Sequence, residues 1–146
     1  MNTPFETVYK YFMKKIEAYD VLGLTDEEIN EDNLDKLMVA MGNFTTLKGV
    51  TLDLDYEEFS RELTQLEINI LSLWMLTEWI KPRLLTEENL YNRLGSKDYK
   101  NYSPANMLDK LTALKQEVDN EAHYWTKKYS FIKISSHSTV RTFSFS

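Results

Sequence analysis

The apolar residues fall into runs with helical spacing. Phe5, Val8, Tyr9, Phe12, Met13 and Ile16 recur at intervals of three and four, while Lys10, Lys14, Lys15 and Glu17 lie outside that stripe. Thr3-Pro4-Phe5-Glu6 reads as the start of this helix: a cap residue, a proline at the first helical position and a glutamate three residues after the cap. Tyr19 to Leu24, with Gly23, closes it. A second helix is expected from Thr25-Asp26-Glu27-Glu28, where the acids complement the positive end of the helix dipole. Leu34, Leu37, Met38, Met41, Phe44 and Leu47 form its apolar face to about Lys48, before Gly49. Val50, Leu52 and Leu54 alternate with polar residues and predict a brief extended connector; a helical turn is expected over Tyr56 to Glu62.

The third helix starts at Thr64-Gln65-Leu66-Glu67 and should stop at Pro82. Between Leu66 and Ile80 its apolar residues, Ile68, Ile70, Leu71, Leu73, Trp74, Met75, Leu76 and Trp79, cover nearly the whole circumference. A helix apolar all round is surrounded by protein, here as the central helix of the domain, with its outward side against another subunit. Thr86 predicts a short helix through Leu94, Gly95 its end, and Ser96 to Tyr102 a loop. Ser103-Pro104 opens a long helix to about Tyr129, with Leu108, Leu111, Leu114, Val118, Ala122, Trp125 and Tyr129 on one face. The last sixteen residues change character. Phe131-Ile132-Lys133-Ile134 and Val140 to Phe145 are rich in β-branched and aromatic residues and predict a β-hairpin or an extended strand on a neighbour's sheet. The expected architecture is all-α: a bundle of four to five helices over residues 1–130, followed by a C-terminal arm over 131–146.

Composition narrows the chemistry. Four glycines and three prolines among 146 residues disfavour a many-stranded β fold and a glycine-rich nucleotide loop. Without cysteine there is no disulfide, thiol nucleophile or sulfur-based zinc site. Two histidines, His123 and His137, cannot make a His-rich metal site. Nine Tyr, seven Phe and three Trp are a core's worth of aromatics. No basic run precedes an apolar stretch at the N-terminus, and Ile68 to Ile80 is short of the roughly 20 residues that cross a bilayer. The chain therefore reads as soluble, without a membrane partner.

Charge is unevenly spread. Residues 1–90 carry eight Lys and Arg against eighteen Asp and Glu, a net of −10; residues 91–146 carry nine against five, a net of +4. Either these are ordinary solvated faces, or an acidic patch on one copy meets a basic patch on the next. Asp53-Leu54-Asp55 with Glu57 and Glu58 has the density of a cation site but fails the calcium-loop pattern, so it reads as a solvated acidic loop. His123 reads as a packing or surface histidine, and His137 beside serines is not triad geometry. Phe5, Tyr9, Phe12, Trp74 and Trp79 read as core. Lys97, Lys100, Lys110, Lys115, Lys127 and Lys128, interleaved with Tyr99 and Tyr102, could stack bases, but the acids among them favour subunit contact. No catalytic residue, cofactor-binding residue or metal ligand is assigned, and no enzyme activity is expected.

Two stretches carry a resemblance. Met1-Asn2-Thr3-Pro4-Phe5, followed by Tyr11-Phe12, Lys15-Ile16, Tyr19-Asp20 and Leu24-Thr25-Asp26-Glu27-Glu28-Ile29, is similar to a family of small virion proteins of tailed bacteriophages. So is Leu94-Gly95-Ser96-Lys97-Asp98-Tyr99-Lys100, with Tyr102-Ser103-Pro104-Ala105-Asn106 and Leu108. The likeness covers residues 1–130; the family's chains tend to end soon after the aromatics near Tyr129, whereas this one continues to Ser146. In size and helical build the chain resembles the head-to-tail connector (neck adaptor) proteins that form a ring beneath the portal. That resemblance implies a virion structural protein of the neck, assembled in the host's cytoplasm. It also implies a homo-oligomeric ring of twelve that contacts the portal and the adjacent neck or tail protein. Double-stranded DNA would pass through without sequence-specific contact, repelled by an acidic lumen. The contacts would fall to Leu108, Leu111, Leu114 and Trp125 on the long helix and to Phe131, Ile132, Ile134, Val140, Phe143 and Phe145 on the arm. The competing readings are another virion part (stopper, tail terminator or capsid accessory protein) and a small helical regulator that binds one protein.

Overall fold

The structure, a computed structural model, describes residues 1–18, 32–102 and 106–145, with side chains as far as residue 132. The elements are helices α1 (Phe5–Ala18) and α2 (Asn33–Asn43), a hairpin of β1 (Leu52–Asp53) and β2 (Glu58–Phe59), and helices α3 (Gln65–Tyr102) and α4 (Met107–Phe145). The all-α class is as expected. The starts expected at Thr25 and Ser103-Pro104 lie outside the described residues.

The first half of α3 is the central element, as its unbroken apolar circumference predicts. Ile68, Ile70, Leu71, Leu73, Trp74, Met75, Leu76, Trp79 and Ile80 are all buried. Helices α1, α2 and α4 each pack on α3. α1 contributes Phe5, Val8, Phe12 and Ile16; α2 contributes Leu37 and Ala40; α4 contributes Leu111, Leu114, Val118, Ala122 and Tyr129. The expected stripes of α1 and α4 thus face the core. On α2 only part does: Leu37 and Phe44 are buried, while Leu34 and Met38 are exposed.

Several details differ from the sequence reading. α2 stops at Asn43 rather than near Lys48, and the Phe44 N–H still reaches the Ala40 carbonyl (2.9 Å). The helical turn expected after Tyr56 is instead β2, which pairs antiparallel with β1 through Leu52–Phe59 and Asp53–Glu58. The reversal is built by Asp53, whose Oδ1 accepts from the N–H groups of Asp55 and Tyr56 (3.1 Å each), and by Glu57 in the left-handed region (φ 51°). The N-terminus then adds to β2. The Phe59 N–H donates to the Thr3 carbonyl (2.8 Å) and the Phe5 N–H to the Glu57 carbonyl (2.9 Å). Thr3, expected to cap α1, instead accepts from the Leu63 N–H through Oγ1 (2.8 Å).

Pro82 does not stop α3. It removes one helical donor, but Trp79, Ile80 and Leu84 are buried around it, and that tertiary packing holds the helix through the defect. Break and restart come at Gly95 (φ 80°, ψ 168°), a conformation open to glycine. Residues 96–102, expected as a loop, are helical because Tyr99 is buried. Its hydroxyl donates to Glu87 Oε2 (2.6 Å) and accepts from the Leu108 N–H (2.7 Å), tying α3 to α4.

The largest correction concerns the C-terminus. Residues 131–145, expected as a hairpin or extended strand, continue α4 as helix to Phe145, and the hairpin lies at residues 52–59. A strand needs a partner for every backbone N–H and C=O. A helix already nucleated upstream extends with one internal hydrogen bond per added residue, so propagation outweighs β propensity here.

Candidate functional site

Three places concentrate polar or exposed apolar groups. The first is a buried junction at the start of α3. Thr64 and Glu67 form a reciprocal capping box: Thr64 Oγ1 accepts from the Glu67 N–H (3.2 Å), and Glu67 Oε1 accepts from the Thr64 N–H (2.8 Å). The same carboxylate takes a two-pronged bond from Arg61, Nη1 to Oε1 (2.9 Å) and Nη2 to Oε2 (2.6 Å). Its Oε2 also accepts from the Tyr129 hydroxyl (2.7 Å). Burial pushes the Glu67 carboxyl up, but the bonds from Arg61, Tyr129 and the Thr64 backbone, with the charge of Arg61, outweigh it and hold the group at about 2. Burial and then the bond to Glu67 push the Tyr129 phenol up to about 12. A carboxylate this fully satisfied has no capacity left for acid–base work; it fastens α3, the β2–α3 link and α4 together.

The second is a groove of about 470 Å³ between the end of α2, α3 and α4. Trp74 forms part of its wall and donates from Nε1 to Thr126 Oγ1 (2.9 Å), while the Thr46 hydroxyl donates to the Thr126 carbonyl (2.9 Å). Lys115 pairs with Asp119 (2.5 Å) and Lys81 with Glu78 (2.6 Å). Asp119 Oδ1 is buried without a hydrogen-bond partner. His123 rests edge-on against Trp74, ring centroids 4.9 Å apart, the packing role expected of it. The Thr77 hydroxyl donates to the Leu73 carbonyl (3.3 Å), so the groove's bonded hydroxyls serve Trp74 and backbone carbonyls and its lysines serve carboxylates. Among the described residues no group of three or more His, Asp or Glu side chains could hold a metal ion, and no helix is long and apolar enough to cross a membrane.

The third is the outer surface of α4 and of the hairpin. Tyr124 is 56 % exposed, Phe131 59 % and Ile132 41 %. At the β1–β2 turn Leu54 is 55 % and Tyr56 79 % exposed. Of the interface residues expected from sequence, Leu111 and Leu114 belong to the chain's own core and are not available to a partner. Leu108 and Trp125 pack half-buried against that core, and Phe131 and Ile132 face solvent. The side chains of Ile134, Val140, Phe143 and Phe145, and that of His137, lie outside the described residues. Tyr99 is buried, which removes it from any base-stacking surface with the exposed Tyr102. Sequence periodicity did not single out Tyr124 or Tyr56, and it placed Leu54 only in an extended connector. Tyr124 falls opposite the apolar stripe, and the hairpin's turn depends on an Asp53 side-chain bond that no periodicity encodes.

Comparison of the chain with protein-family models, curated proteins and solved structures finds no match.

Proposed function

We propose that the protein is a structural subunit of a tailed-bacteriophage virion: a head-to-tail connector that forms a homo-oligomeric ring between the portal and the next neck component and extends the DNA channel. The observation that carries this reading is the far end of α4. The helix delivers its last described core residue, Tyr129, and then runs on with Phe131 and Ile132 open to solvent. Exposed aromatic and β-branched residues on the last described turn of side chains in α4 suit attachment to another protein. The resemblance of residues 1–130 to small virion proteins of tailed bacteriophages supplies the setting, and the chain's size and helical build suggest the neck.

The helical form changes the mechanism such an arm would use. A helix keeps its main-chain hydrogen bonds to itself, so attachment would rest on side chains, a helix face laid into an apolar groove of the neighbour, rather than on an added strand. The test is a chain ending at Ser130. Purified portal-bearing heads should bind the full-length protein and join tails. The shortened chain should remain folded, because Tyr129 is retained, yet fail to join heads to tails. Normal joining by the shortened chain would refute the assignment of attachment to α4's end.

A further inference from the structure

The outer face of α4 from Tyr124 onward and the β1–β2 turn are open to solvent in a single copy and opposite in charge. Tyr124, Lys127, Lys128 and Phe131 are spaced by three, four and seven residues, which puts them on one helix face. From Ala122 to Ser146 the chain holds Lys127, Lys128, Lys133 and Arg141 and not one Asp or Glu. The turn is the converse: Asp53, Asp55, Glu57 and Glu58 frame Leu54 and Tyr56, with no Lys or Arg between Gly49 and Ser60. Each patch thus has two exposed apolar side chains, those of the turn among carboxylates only and those of α4 beside Lys127 and Lys128, with Glu117 and Glu121 on the same face further toward the helix start.

We propose that the outer face of α4 binds the β1–β2 turn of a second copy of this chain, Leu54 and Tyr56 packing on Tyr124 and Phe131 while Asp55 and Glu57 meet Lys127 and Lys128. The proposal rests on the ring reading above and names the surfaces that would build it. Charge complementarity points to this occupant: the turn brings only carboxylates to Lys127 and Lys128, whereas a second α4 face laid parallel would set lysine against lysine. The turn is also preformed. The two 3.1 Å bonds to Asp53 Oδ1 hold it in shape, so docking orders little backbone. Because the two patches differ, the contact is head-to-tail: every copy offers one of each, and the series closes into a ring or runs on as a filament.

The test uses the full chain and two charge-reversed variants, K127E/K128E and D55K/E57K, with light scattering and sedimentation velocity as readouts. All four side chains are on the surface, and thermal melts matching the parent confirm that the variants fold. The parent protein should self-associate and dissociate as salt rises. Each variant alone sets like charges together and should associate about a hundredfold more weakly. An equimolar mixture of the two should restore assembly, since every contact then joins opposite charges. Variants that assemble like the parent, or a mixture that stays monomeric, would overturn this contact. A second arm separates it from the connector reading. A parent protein that is monomeric alone but binds portal-bearing heads sinks this contact and leaves the connector standing; one that does neither sinks both.

Discussion

Tyr129 and Phe131 stand two residues apart on one helix and meet opposite fates. Tyr129 points inward, buried against Phe44 (ring centroids 5.0 Å) with its hydroxyl on Glu67. Phe131, about 200° further round α4, points to water. The difference is helical phase, not chemistry. The region around Tyr129 closes the molecule on itself, every carboxylate oxygen of Glu67 engaged, while the region around Phe131 leaves apolar surface uncommitted. Substitutions in the first should cost stability, and substitutions in the second should cost assembly.

The largest effect is expected from Glu67→Ala, which strands the half-buried Arg61 guanidinium and deprives Tyr129 and the Thr64 N–H of their acceptor. Urea unfolding should report a loss of about 3–5 kcal/mol. A loss below about 1 kcal/mol would mean that the junction is not what closes the molecule. The same carboxylate predicts a pH dependence. Its folded-state pKa of about 2 lies below its ordinary value of 4.5, so its contribution is complete above the ordinary value and declines as pH falls toward 2. About 3 kcal/mol should vanish between roughly pH 5 and pH 2, and Glu67→Gln should flatten that part of the profile. Next comes Thr126→Val, which leaves the buried Trp74 Nε1–H without its acceptor; thermal melts should show about 1–3 kcal/mol of destabilisation. The smallest effect sharpens the contrast. Phe131→Ser should leave stability within about 0.5 kcal/mol of the parent while weakening self-association and head binding. A large drop in melting temperature would show that Phe131 belongs to the core after all.

Much of the bundle was legible in the chain. α1, the first half of α3 and the inner face of α4 follow from apolar spacing, because burying a stripe is what holds a helix in a bundle. The start of α3 was legible too, since Thr64 and Glu67 lie at capping-box spacing. What was not legible had non-local causes. Pro82 is carried through α3 by core packing on both sides of it, and Tyr99 pulls a polar, lysine-bearing segment into helix by reaching Glu87 and Leu108. Thr3 gives its hydroxyl to Leu63, sixty residues away, rather than to α1. On the candidate site, Phe131 and Ile132 were anticipated as contact residues, but the strand geometry assigned to them was not what the structure has.

By itself the sequence determined the helical class, the central place of Ile68 to Ile80, the absence of thiol chemistry and the separation of acidic from basic halves. These rest on residue type and spacing along one chain. Only the tertiary structure decided that Leu111 and Leu114 serve the core while Phe131 faces outward, and that Glu67 is at once a helix cap and the clasp for Arg61 and Tyr129. It also turned an acidic run at Asp53 to Glu58 into a projecting turn. Each of those outcomes depends on what a neighbour distant in sequence offers: a hydrogen-bond partner, a packed surface, or neither.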